Sequence, residues 1–147
     1  MPDALSAPAD PAKVAIVLAA DLAPGPAANI AACIAAGLAA SRPDWAGRAL
    51  VDASGWRSVS SSHVPITILK APVTAMNALL RRLTEGTAQD NGRISLFPAY
   101  AHAIHESSEY WHRHGLVSHA EEPMLGVGLV GAKRWVSSMT GSLPLWR

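Results

Sequence analysis

Residues 13–40 read KVAIVLAADLAPGPAANIAACIAAGLAA, and the fold turns on how this stretch divides. Residues 13–20 form a continuous apolar run containing Val14, Ile16, Val17 and Leu18. Apolar side chains at consecutive positions face both sides of a strand, so this strand belongs inside a sheet covered on both faces. Pro24-Gly25-Pro26 then breaks the chain. Pro26 suits a first helical residue, where a missing N–H costs nothing, and a helix is predicted over 26–41. Its inward stripe is Ile30, Ile34 and Leu38, with Cys33 and Gly37 beside it. Alanine at most other positions lets this helix lie close to a sheet.

The pattern continues outward from there. Asp52-Ala53-Ser54-Gly55 has the composition of a tight turn between two short hairpin strands. Ile66, Ile68 and Leu69 mark a second core strand. Pro72 opens a helix over 72–85, with Val73, Met76, Leu80 and Leu83 inward, Arg81-Arg82 outward and Gly86 as its stop. A third strand, RISLF, covers 93–97. Pro98 opens a third helix over 98–114, ended by Gly115. MLGVGLVG at 124–131 is a fourth strand, followed by a helical turn through Trp135 and a tail, SLPLWR. Strands alternating with helices predict an α/β layered domain. One domain over 12–147 is expected, with 1–11 as a flexible N-terminal tail.

Composition narrows the function classes. The chain has 147 residues, of which 50% are hydrophobic and 16% charged. A lightly charged surface favours self-association. Five tryptophans offer interface anchors, with Trp56 in a turn and Trp146 in a tail expected to be exposed, so a homodimer is expected. The net charge of +1 argues against gripping a phosphate backbone, so no nucleic-acid partner is expected. The single cysteine, Cys33, excludes an intrachain disulfide and is expected to be a small buried hydrophobe. MPDALSAPADPA lacks the basic start and apolar run of a signal peptide. VAIVLAA is far too short to span a bilayer. A cytoplasmic protein without a membrane partner is the expectation, and no cofactor fingerprint is present.

Four places can carry chemistry. Asp21 follows the first strand and the next helix starts nearby. Ligands of open α/β sheets gather at such strand ends, and a helix start favours an anion. Equally, Asp21 can simply order the turn and Asn29 cap it. The second place is HAIHESSEYWHRH. On one helix His105, Glu109 and His112 would share a face, with His102, Glu106 and Arg113 adjacent. The HExxH order of a zinc site is absent, and a solvated face of His–Glu and Glu–Arg pairs explains the same residues. The third is MLGVGLVGAKRW, where Met124, Gly126, Gly128 and Val130 are expected on one strand face and Leu125, Val127 and Leu129 on the other. Glycines there mark a close approach, with the first helix as the candidate filler. The fourth is Thr140-Gly141, a turn that can also present a hydroxyl.

Taken together, the blocks KVAIVLAADLAPGPAANIAACIAAG, DASGW, PITILKA, FPAYAHAIHESSEYWHRH and LGVGLVGAKRWVSSMTGSLPLWR resemble the domain of unknown function 2000 family, over Lys13 to Arg147. That family is similar in fold to type 2 peptidyl-tRNA hydrolases. The resemblance implies a three-layer α/β/α sandwich around a mixed, roughly four-stranded sheet. It also implies that the first turn, the first helix start and Thr140-Gly141 gather at one edge, as they do in the hydrolase site. Asp21-Leu22 and Thr140-Gly141 match the hydrolases' Asp-Leu and Thr-Gly. Gly25-Pro26 stands where they carry Gly-Lys, and Asn29 stands near their glutamine. Without that lysine the relatives' chemistry loses a charge for a phosphate or oxyanion. The expectation is therefore a small-ligand-binding or regulatory domain, with Asp21, Gly25, Asn29, Lys133, Thr140 and Gly141 around the ligand and Lys133 or Arg134 as its cation. A hydrolase of an ester or amide, using Asp21, Asn29 and Thr140, and a homodimeric interaction module are the alternatives.

Overall fold

The structure, a computed structural model, describes residues 12–42, 45–85 and 92–147. Its elements in chain order are β1 (Ala12–Ala19), α1 (Pro24–Ser41), β2 (Ala49–Val51), β3 (Arg57–Val59), β4 (Ile66–Ala71), α2 (Val73–Thr84), β5 (Gly92–Pro98), α3 (Ser107–His114), β6 (Met124–Ala132) and α4 (Lys133–Thr140). The main sheet has the strand order β4-β1-β6-β5. β1 and β4 run parallel, with Val14 beside Ile66 and Ala19 beside Ala71. β6 is antiparallel to both its neighbours. The result is a mixed four-stranded sheet.

β1 is covered on both faces, as its apolar run requires. Val14, Ile16 and Leu18 face α1, where they meet Ala27, Ile30, Ile34 and Leu38. Ala15 and Val17 face the other way, onto Met76, Leu79 and Leu80 of α2 and Trp135 and Val136 of α4. Both faces of the strand are almost fully buried, from Val14 at 0% exposure to Leu18 at 1%. The glycines of β6 do receive α1. A Cβ on Gly126 would lie 2.7 Å from Ile34 Cδ1 and 2.9 Å from Ile30 Cγ2. A Cβ on Gly128 would collide with Ile34 and lie 2.9 Å from Leu38 Cδ1. Bare backbone at these two positions is what lets the helix rest on the sheet.

Several expectations need correcting. α1 begins at Pro24, not Pro26, so Pro24 is the first helical residue. Cys33 is exposed rather than buried. Consequently, Ellman's reagent is expected to titrate one thiol in the native protein without denaturant. Slow labelling that requires unfolding would refute this exposure. In α2 the buried set is Met76, Leu79, Leu80 and Leu83, while Val73 is 72% exposed at the helix start. The expected stop at Gly86 lies outside the described residues. Met124 turns to the α2 face, opposite to Gly126 and Gly128. The β5–β6 register slips between Phe97 and Pro98, whose partners jump from Gly126 to Met124. Leu125 is thereby left as an extra residue, and such a bulge reverses the alternation beyond it.

The largest correction concerns the third helix. Residues 99–103 form a short 3-10 turn. Ile104 and Glu106 are extended (φ −100°, ψ 126° and φ −109°, ψ 128°), and α3 starts only at Ser107. Ser107-Ser108 favour a helix start over a helix interior. His102, His105 and Glu106 therefore lie outside α3, and the shared face expected for His105, Glu109 and His112 does not form.

The tail closes one edge of the sheet. Lys70 N–H donates to the Pro144 carbonyl at 3.0 Å and Trp146 N–H to the Ile68 carbonyl at 2.9 Å. Leu69 bridges Leu145 between them. Leu143 packs on the α2 side and Trp146 on the α1 side, so Trp146 is not the free anchor expected of it. Trp56 is exposed as expected, at 69%. It stands at the β2–β3 tip, where Asp52 Oδ1 accepts from Ser54 N–H (2.8 Å), Ser54 Oγ (2.6 Å) and Trp56 N–H (3.0 Å). The Ser54 hydroxyl first, then these amides, lower the Asp52 pKa.

Candidate functional site

The turn after β1 is built by ladder continuation. Ala20 N–H donates to the Ala71 carbonyl at 3.0 Å, and Leu22 N–H closes onto Ala19. Asp21 is thus delivered exposed at the carboxyl end of the parallel β1–β4 pair. It opens on a hollow of about 300 Å³. Ala19, Ala71, Met76 and Met124 supply apolar wall, Pro72 and Pro123 rigid sides, and Asp21 and Asn77 the polar groups.

The neighbouring helix start is a poor anion cradle. A helix leaves its first four N–H groups unpaired. In α1, prolines at 24 and 26 remove two of them, which leaves the amides of Ala23 and Gly25 before the ladder starts with Ala27 N–H donating to the Ala23 carbonyl at 3.0 Å. With the Asp21 carboxylate alongside, the local field favours a cation or a hydrogen-bond donor. A Cβ on Gly25 would meet no atom within 4 Å, so the turn is open there.

The other expected residues fall elsewhere. Asn29 is exposed and lines a separate hollow of about 610 Å³ between α1, β5 and the 3-10 segment, together with Cys33, Phe97 and His105. Thr140 is 1% exposed, and its hydroxyl donates to the Val136 carbonyl at 2.8 Å. Gly141 ends α4, its N–H donating to the Ser137 carbonyl at 2.8 Å, where a Cβ would lie 2.7 Å from that same oxygen. Thr140-Gly141 thus closes α4 and turns the chain toward β4. Lys133 and Arg134 begin α4 directly after Ala132, which pairs with Ala12 at the far end of β1. A strand of this length puts them roughly 20 Å from Asp21, too far for Lys133 to be its cation.

Sequence reasoning missed Asn77, Pro123 and Met124 in the Asp21 hollow. Asn77 sits on α2 one position after a core methionine, and only the parallel pairing of β4 with β1 brings it to Asp21. No local motif signals that.

A second polar group holds α3. Tyr100 Oη lies 2.7 Å from His119 Nε2. His119 stacks on His114 with centroids 4.0 Å apart. The Arg113 guanidinium sits 4.5 Å over the Tyr100 ring. Burial first, then the neighbouring His114, lower the His119 pKa from its ordinary 6.5, against a smaller opposing effect of Glu122. The unfolded chain therefore takes up this proton before the folded one. The stability held by neutral His119 is full above about pH 6.5 and falls as pH drops through that value toward the lowered one. Amide exchange in α3, corrected for intrinsic rates, is expected to be faster at pH 5 than at pH 7.5, and His119→Gln should flatten this difference. Equal protection at both pH values would refute it. Among the described residues, no three His, Cys, Asp or Glu side chains gather as metal ligands.

A family model described as "Protein of unknown function (DUF2000)" matches residues 12–147, from the first residue of β1 to the last of the tail. The chain belongs to this family. The DUF2000 match spans every element that builds the Asp21 hollow. Among solved structures, a protein of unknown function from Agrobacterium tumefaciens is similar with a TM-score of 0.80 and 20% identity, covering 92% of this chain and 98% of that one. The likeness is one of fold. A comparison with curated proteins finds no match. Among the described residues, no helix of this DUF2000 chain is long and apolar enough to cross a membrane.

Proposed function

We propose that the domain binds a small molecule with an apolar body and a cationic or hydrogen-donating head, held in the hollow at the end of the β1–β4 pair and recognised by Asp21. The supporting observation is the make-up of that hollow: Asp21 is its single ionisable group, Asn77 its other polar side chain, and the rest of its wall is Ala, Pro, Val and Met. On the proposed likeness to type 2 peptidyl-tRNA hydrolases, this turn is the counterpart of a hydrolase site with Gly25-Pro26 in place of Gly-Lys. Binding is favoured over hydrolysis because no Ser, Thr, Cys, His or Lys lines the hollow, which leaves Asp21 without a hydroxyl, thiol or amine nucleophile to activate and leaves no cation for an oxyanion.

The test is an NMR titration with short alkyl primary amines and the carboxylates of the same carbon frame. Amines should shift Met76, Asn77 and Met124, and Asp21→Asn should weaken them about tenfold, as expected for loss of a charge-assisted hydrogen bond. Carboxylates binding equally well, or shifts confined to other residues, would overturn the reading.

A second reading, a homodimer, draws on the β2–β3 hairpin. Its strands and tip are exposed throughout, including Leu50, Val51 and Val59 of the strands and Trp56 of the tip, and a lone two-stranded hairpin is marginal in water. Light scattering should show a dimer that Trp56→Ser dissociates. A monomer at high concentration sinks it.

A further inference from the structure

The two edges of the main sheet are treated differently. At β4 the tail residues 144–146 occupy the outer edge. At β5, the other end of the strand order, no backbone partner occupies the outer edge among the described residues. An open edge is a row of unpaired N–H and C=O groups and a template for another strand.

Two hollows flank this edge, one on each side of the sheet. The first, about 530 Å³, lies on the α2 side and is walled by Leu80, Leu83 and Ile94. The second, about 610 Å³, lies on the α1 side and is walled by Ile34, Phe97 and Ile104. Both share Ser95 and Leu96 of β5 and Tyr110 of α3. α3 buries none of its residues. It stands beside β5, with Tyr110 lining both hollows and His114 the first. Side chains of an added strand alternate between its two faces, so they would enter the two hollows in turn. Main-chain pairing for affinity and alternate pockets for specificity is how sheet edges take up extended peptides.

The charged lining of the two hollows selects the occupant. On the α2 side it is Arg93, with His114 nearby and no carboxylate, and on the α1 side it is Glu106, with His102 and His105. An acidic side chain entering on the α2 side therefore meets a permanent cation with no opposing carboxylate in that hollow. We propose that β5 is a docking edge for an extended peptide of another protein, apolar at alternate positions and carrying an acidic residue beside Arg93. This site is separate from the Asp21 hollow and independent of its ligand.

The test starts with selection of a displayed random heptapeptide library on the purified full chain, seven residues being the length of β5. Selected peptides are synthesised and followed by fluorescence anisotropy and by amide exchange. Expected are sequences with alternating apolar residues and an Asp or Glu, protection of amides in 93–97, and loss of binding when alternate peptide nitrogens are methylated. Arg93→Glu, at an exposed position, should weaken binding about tenfold while the thermal unfolding curve stays unchanged. Failure to enrich any peptide would overturn the proposal, as would protection appearing at the β2–β3 hairpin instead or equal binding of the methylated peptides. Protection of 93–97 in the free protein that grows with its concentration would assign the edge to a second copy and equally overturn it.

Discussion

Gly128→Val should lower the melting temperature by roughly 10 °C, corresponding to a loss of about 3 kcal/mol, the upper range of ordinary overpacking. Two effects oppose each other at this position. Valine is a better strand former than glycine, by up to about 1 kcal/mol. Against that, the new Cβ alone collides with Ile34 and reaches to 2.9 Å from Leu38 Cδ1, before either methyl is placed. Ile34 and Leu38 are each 1% exposed, so neither has room to withdraw, and the steric effect wins. A compensating pair makes the claim specific. Ile34→Ala alone should cost about 2–5 kcal/mol by leaving a cavity. Combined with Gly128→Val it should cost less than the sum of the two by at least about 1 kcal/mol, because the valine fills what the isoleucine vacated. Gly25→Ala, at a site with open space and ordinary φ, should be neutral or slightly stabilising. Thermal unfolding followed by circular dichroism reads all four chains. Additive losses for Gly128 and Ile34 would show that α1 does not rest on β6 as described.

Local and repetitive features were legible in the sequence. The unbroken apolar run of β1 announced a strand buried on both sides, and Gly126 and Gly128 announced the helix that lies on them. What failed depended on contacts made at a distance. The segment 98–114 has helical composition, yet the chain is extended at Ile104–Glu106. His102 and His105 consequently line a hollow instead of a helix face. Met124 was assigned to the wrong side because one extra residue at Leu125 reverses an alternation, and the bulge is specified by pairing with β5. Cys33 looked like core because alanine hides the boundary between the buried and open faces of α1. In the candidate site the acid was legible and its surroundings were not. Asp21 follows from the strand end, whereas Asn77 and Met124 reach it through the strand order. Thr140 has the residue type of a site donor, but its hydroxyl is spent on Val136 within its own helix.

Removing residues 142–147 should destabilise the domain by about 4–5 kcal/mol, against a total of about 5–15 kcal/mol for a typical domain, and should cause concentration-dependent association. The first effect has identifiable parts. The two backbone hydrogen bonds of Lys70 with Pro144 and of Trp146 with Ile68 contribute about 1 kcal/mol each net. Leu143 and Trp146 are partly buried against the two core clusters, and each contributes about 1–1.5 kcal/mol, some half of a fully buried large side chain. Leu145, 47% exposed, adds little, so Leu145→Ser should be nearly silent while Trp146→Ala reproduces part of the loss. The second effect follows from the sheet order. With the tail gone, Ile68, Leu69 and Lys70 present an unpaired edge, and the sheet then offers templates at β4 as well as β5. Circular dichroism melts and light scattering at several concentrations measure both effects. A truncated chain that melts within about 2 °C of the full one, a difference below roughly 1 kcal/mol, would mean that the tail contributes no pairing. A destabilised but strictly monomeric chain would separate the two parts: burial by Leu143 and Trp146 would be real, while protection of the edge would come from the charge that Lys70 places on β4.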